Sequence, residues 1–132
     1  MKALVTYLNF DGNCKEAMTF YGKCLNAELF LMPFEAPSDR TMHANLSRGG
    51  ASILMASDTM PGCPFLPGNN FSVSVHCESM PEIQQLFGAI AEGGKVTMPL
   101  QDVFWGAHFG MLTDRFGVNW MFNYELPKPA QT

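Results

Sequence analysis

Apolar and polar residues alternate with a period of two from Leu4 to Phe10. This predicts a strand with Leu4, Leu8 and Phe10 on one face and Val5, Tyr7 and Asn9 on the other. Asp11-Gly12-Asn13 reads as a turn, with Asn13 as a helix cap. The period then changes: Ala17, Phe20, Tyr21, Cys24 and Leu25 recur at helical spacing, giving a helix from Cys14 to Leu25. Ala27 to Phe34 is a strand that runs out at Pro33, and Glu35 to Arg40 is a loop. Met42–Ser47 and Ala51–Ser57 form a hairpin about Arg48-Gly49-Gly50. Prolines 61, 64 and 67, with two glycines, break the pattern. The same order then returns. Phe71 to Cys77 alternates as a strand. Ser79-Met80-Pro81-Glu82 is a capping box before a helix that turns Ile83, Leu86, Phe87 and Ile90 inward. Gly93-Gly94 stops it. Lys95–Leu100 is a strand, Gln101–His108 a loop, and a last hairpin turns at Asp114-Arg115-Phe116-Gly117.

The order is β-α-β-β-β twice, an α+β fold. Each strand–helix–strand start implies a parallel pair with the helix on one face of the sheet. The two modules are expected to form one curved mixed sheet around a cup-shaped cleft. They make a single domain over residues 1–132: module one about 1–58, a linker at 59–70, module two about 71–125 and a tail at 126–132. A chain of this length can bury a sufficient core without staples.

Composition narrows the classes. Hydrophobic residues make up 47% and charged residues 15%, which excludes a disordered chain. Twelve acidic against eight basic residues, with no basic run, leave no footprint for nucleic acid. No apolar run approaches the roughly twenty residues a membrane span needs, and no signal-peptide cleavage site follows the first residues. The four cysteines, Cys14, Cys24, Cys63 and Cys77, include no Cys-x-x-Cys pair. Cys14 and Cys24 sit roughly 15 Å apart along one helix, too far for a disulfide. Four reduced thiols in a cytoplasmic protein is the simplest reading, with a bridge to Cys63 or Cys77 as the other.

Several segments carry a family likeness: Tyr7-Leu8-Asn9-Phe10, Gly12-Asn13-Cys14, Glu16-Ala17, Phe20-Tyr21, His43-Ala44, Ser57-Asp58, and Trp105-Gly106 through Phe109-Gly110 with Asp114-Arg115-Phe116-Gly117-Val118. With the doubled module they resemble the PhnB-like branch of the vicinal oxygen chelate superfamily, which includes glyoxalase I, extradiol dioxygenases and bleomycin- and fosfomycin-resistance proteins. That branch has often been labelled a demethylubiquinone methyltransferase or a DNA-binding protein. Neither label finds its chemistry here, since no glycine-rich turn follows the first strand and no basic patch exists. Metal-dependent relatives place one His, Glu or Gln on each of four cup-lining strands. The resemblance puts those positions at Val5, Met55 (or Leu54), Ser72 and Met121, none of which suits a hard divalent ion. No metal and no cofactor is therefore expected.

Alternation supplies candidates for what lines the cup instead. They are Tyr7 and Asn9 on the first strand, His43 with Asn45 on the third, and Ile53, Met55 and Ser57 on the fourth. In the second half they are Ser72, Ser74 and His76, then Asn119, Met121, Asn123 and Glu125. His76 lies four residues beyond Ser72 and Glu125 four beyond Met121, so adjacent parallel strands would carry both to one end. There they could form a general base with its orienter, or simply be rim residues in water. His43 could bond a ligand or a local backbone group. Trp105 and His108, in the expected loop, could stack on or bond a ligand at the mouth, or the loop's aromatics could only close the core or a dimer interface. The leading expectation is a metal-free small-molecule-binding protein, a homodimer. The alternatives are an enzyme (lyase, isomerase or oxygenase-like) with a displaced acid/base site, and an interaction protein without chemistry.

Overall fold

The structure is a computed structural model that describes residues 1–35 and 38–128. Its elements run β1 (Thr6–Phe10), α1 (Cys14–Leu25), β2 (Glu28–Pro33), β3 (Thr41–Arg48), β4 (Ala51–Asp58), β5 (Val73–Cys77), α2 (Met80–Ala91), β6 (Lys95–Val103), β7 (Ala107–Thr113) and β8 (Asn119–Glu125). Two four-stranded mixed sheets result, ordered β1-β4-β3-β2 and β5-β8-β7-β6. In each, the first strand pairs parallel with the last, and the other pairs are antiparallel. The fold is α+β, built from the β-α-β-β-β module used twice. The chain divides into two compact units, Met1–Pro67 and Gly68–Thr132.

Each unit has its own core, set by the two periodicities. In the first, Leu8, Phe10, Leu46 and Leu54 are buried, as are Ala17, Met18, Tyr21 and Leu25 of α1, which packs on β2, β3 and β4. In the second, Ile83, Phe87 and Ile90 of α2 meet Leu112, Trp120 and Phe122. Phe87 packs edge-on against Phe122 at a centroid distance of 5.5 Å. Leu86 is only half-buried, so the α2 stripe is narrower than its sequence suggests.

Some expectations are corrected. Leu4 is exposed and precedes β1, so it adds nothing to the core. Phe71 likewise lies outside β5 and is half-exposed. Asn13 makes no side-chain cap bond. Asp58 does that work instead: its Oδ1 accepts from the backbone N–H of Gly12 (2.7 Å) and Cys14 (3.1 Å), and its Oδ2 from Thr41 (2.8 Å). The capping box of α2 is half made. Ser79 accepts from Glu82 N–H, but the Glu82 carboxylate accepts from Glu78 N–H, one residue early. The loop expected at Gln101–His108 shrinks to Phe104–Gly106. β6 continues through Val103 because it is the sheet edge, where Pro99 removes no needed ladder bond. The loop positions 36–37 and the tail positions 129–132 lie outside the described residues.

Candidate functional site

Alternation gives each sheet a face packed under its helix and an open face, and the registers fix which side chains stand together. On the first open face Tyr7 lies opposite Met55, Met55 opposite Asn45, and Asn45 opposite Phe30. These four residues make one row across all four strands. In the adjoining row Asn9 lies opposite Ser57, and His43 opposite Met32. Tyr7 joins the rows: its ring stacks on His43 at 5.9 Å and 30°, and its hydroxyl lies 3.3 Å from His43 Nδ1. Tyr7 is 44% exposed and Phe30 56%, so two aromatic rings stand open at the ends of the first row. Between them Asn45 Oδ1 is buried and has no hydrogen-bond partner. A buried unmet acceptor costs about 1–3 kcal/mol, and no donor among the described residues offsets it.

The second open face is softer. Ser74, Met121, Met111 and Met98 form one row, and His76, Asn123, Phe109 and Gln101 the next. Three adjacent thioethers make an adaptable apolar strip. Trp105, from the turn before β7, stands edge-on to Phe109 at 5.4 Å and to Phe104 at 5.1 Å. Asn119 accepts from the Thr113 hydroxyl at 2.7 Å.

The register does not bring His76 and Glu125 level. His76 lies opposite Asn123, with Nε2 3.2 Å from Ser74 Oγ, while Glu125 lies two residues further, opposite Ala107, and is exposed. The His–carboxylate pair in this unit is a different one. His108 sits in β7 rather than a loop, opposite Asp102, with Nδ1 2.8 Å from Asp102 Oδ1. It alternates with Phe109, so it belongs to the helix-side set of β7, away from the methionine strip. Ser72 lies exposed ahead of β5.

Two residues that organise the units were read from the sequence as a family match and a turn charge. Asp58 shares alternation with Leu54 and Ala56 on β4, and that signal alone would have placed it inside. Asp114 is buried as well. Its Oδ1 accepts from Phe116 and Val118 N–H, and its Oδ2 from Trp120 Nε1 at 2.8 Å. The signal was an Asp opening a tight turn, which bonds the backbone just ahead. None of the four cysteines is in a disulfide. Burial, assisted by the neighbouring Asp58 charge, pushes the Cys14 thiol up to about 12; burial and then Glu82 push Cys77 to about 11. Neither is a ready nucleophile.

The family model for the Glyoxalase/Bleomycin resistance protein/Dioxygenase superfamily matches residues 4–122. The chain belongs to that superfamily. Protein YjdN of Escherichia coli is 33% identical over 97% of this chain and 99% of its own length. The solved structure of protein PA1353 from Pseudomonas aeruginosa is 43% identical, covers 96% of this chain and all of its own, and superposes with a TM-score of 0.85. The PhnB protein from Bacillus cereus is 27% identical over 93% of this chain and 99% of its own, with a TM-score of 0.78. The chain thus sits in the PhnB-like branch of the glyoxalase superfamily.

At the four positions where the family resemblance puts metal ligands, this chain has no carboxylate, amide or imidazole. Val5 has no donor atom, Ser72 has only a hydroxyl, and Met55 and Met121 offer thioethers. No three His, Cys, Asp or Glu side chains gather at a metal-binding spacing among the described residues. No helix among them is long and apolar enough to cross a membrane.

Proposed function

We propose that this glyoxalase-superfamily chain is a small-molecule-binding protein that holds its ligand on an open sheet face without the chelate metal. One observation carries the reading. On the first sheet, half-exposed Tyr7 and Phe30 flank a buried amide oxygen with no partner. Ligand sites combine an apolar surround with a few polar groups that set orientation, and that face has both. The methionine strip of the second sheet is an apolar surface able to fit irregular shapes. The superfamily's description joins enzymes with a drug-resistance protein, so membership does not by itself prescribe one reaction.

A thermal-shift screen of small aromatic and heteroaromatic compounds tests the reading, because a ligand specific for the native state raises the melting temperature by mass action. Hits that protect equally with and without a chelator are expected. We propose a cytoplasmic location, on four cysteines none of which is in a disulfide, and a homodimer, for which gel filtration is the check.

A second reading, an enzyme with a displaced acid/base site, draws on His108. A carboxylate at Nδ1 fixes the tautomer and leaves Nε2 as the working nitrogen. Turnover of a screening hit that disappears in His108→Gln would favour it over simple binding.

A further inference from the structure

Resting on the reading of the first open face as a ligand site, we propose that this face selects flat ligands bearing a hydrogen-bond donor, with Asn45 as the selecting residue. The row Tyr7–Met55–Asn45–Phe30 crosses the whole sheet. From β1 to β2 it spans three strand spacings, about 14 Å, room for two or three fused rings. Its ends are exposed aromatic rings, and its middle is a thioether beside an amide. Rings and thioether favour an apolar plane. The amide oxygen adds one condition: it accepts, and nothing among the described residues donates to it.

A ligand N–H or O–H aimed at Oδ1 meets that unfilled demand. An analogue without the donor leaves the acceptor buried and unpaired, which is how a polar site rejects a near isostere. Neither row of this face carries a lysine or arginine, so carboxylates and phosphates find no counter-charge. The selected class is therefore neutral, planar and donor-bearing. Access requires the neighbours of Asn45 to move. Met55 is flexible along its whole side chain, and Phe30 is more than half exposed.

The test uses quinolin-2(1H)-one, a flat bicyclic lactam with one N–H, and its N-methyl derivative, titrated calorimetrically into wild type and Asn45→Leu. Wild type is expected to bind the lactam about tenfold or more tighter than the methylated compound, and Asn45→Leu to abolish the preference by weakening the lactam alone. The melting temperature of Asn45→Leu should equal or exceed that of wild type, since leucine removes an unpaired buried acceptor. If Asn45→Leu fails to fold or melts several degrees lower, Asn45 serves the fold and the proposal is wrong. Equal affinities in wild type, or a preference that survives in Asn45→Leu, overturn it too. In labelled wild type, the Asn45 side-chain carbonyl resonance should shift with the lactam and stay still with its methyl derivative. Binding of other compounds but neither quinolinone would sink the proposal and leave the small-molecule reading standing. A screen in which nothing binds would remove both.

Discussion

Two buried carboxylates each serve at least three donors: Asp58 ties the start of α1 to the start of β3, and Asp114 ties the last turn to Trp120. Replacing Asp58 by alanine strands three backbone N–H groups, two of them buried, and is expected to cost about 3–5 kcal/mol by urea unfolding. A cost below about 1 kcal/mol would show that water replaces the carboxylate freely. The buried thiols give a pH signature. Their native pKa values, about 12 for Cys14 and about 11 for Cys77, stand above the ordinary 9.0. Above pH 9 the unfolded chain therefore binds fewer protons than the native one, and stability falls with rising pH. The contribution is complete below 9 and is lost as the pH climbs toward 11 and then 12. Because other groups titrate there, the readout is the difference between wild type and Cys14→Ala, in which the fall from pH 8 to 10.5 should be shallower. Sequence alone located these residues but not their partners. A lone Asp at a strand end reads as solvated until alternation is taken at its word.

At the scale of elements, helix boundaries were the most legible feature, since a change of period from two to 3.6 marks them directly. Both α1 and α2 fall where the pattern puts them; what anchors them was legible for only one. Asn13 occupies the position of a cap without acting as one, so Asn13→Ala should change stability by less than about 0.5 kcal/mol, whereas Ser79→Ala should cost about 1 kcal/mol. Equal costs would contradict the assignment of α1's cap to Asp58. The close of α2 is tighter still. A Cβ at Gly94 would collide with the Thr113 carbonyl and sit 2.8 Å from Asp114 Cα, both main chain that cannot step aside. Gly94→Ala is expected to cost roughly 2–4 kcal/mol, at the large end for a point change, measured as a drop in denaturation midpoint. Strand ends were less legible. Pro99, Gln101 and Asp102 look like loop chemistry, yet an edge strand tolerates all three.

For the whole molecule, the doubled module is written in the chain twice, and the two sheets repeat one strand order. Alternation also put Tyr7, Asn9, His43, Met55 and Met121 on open faces. It could not set the register of the parallel pairs. A shift of two residues leaves every side chain on its own face, so the pattern that sorts inside from outside is blind to it. That is why Glu125 was expected level with His76, whereas Asn123 stands there and the paired histidine is His108. It is also why the Tyr7–Met55–Asn45–Phe30 row, and the unmet oxygen within it, emerge only from the structure. The central claim is binding of a small flat molecule without a chelate metal. Its most direct test is a thermal-shift screen of planar heteroaromatic compounds run with EDTA, with EDTA removed, and with Zn, Ni, Mn or Fe added. Compounds that raise the melting temperature by the same amount in every condition are the expected result. Protection that appears only when a divalent metal is present, or no protection by any compound, would contradict it.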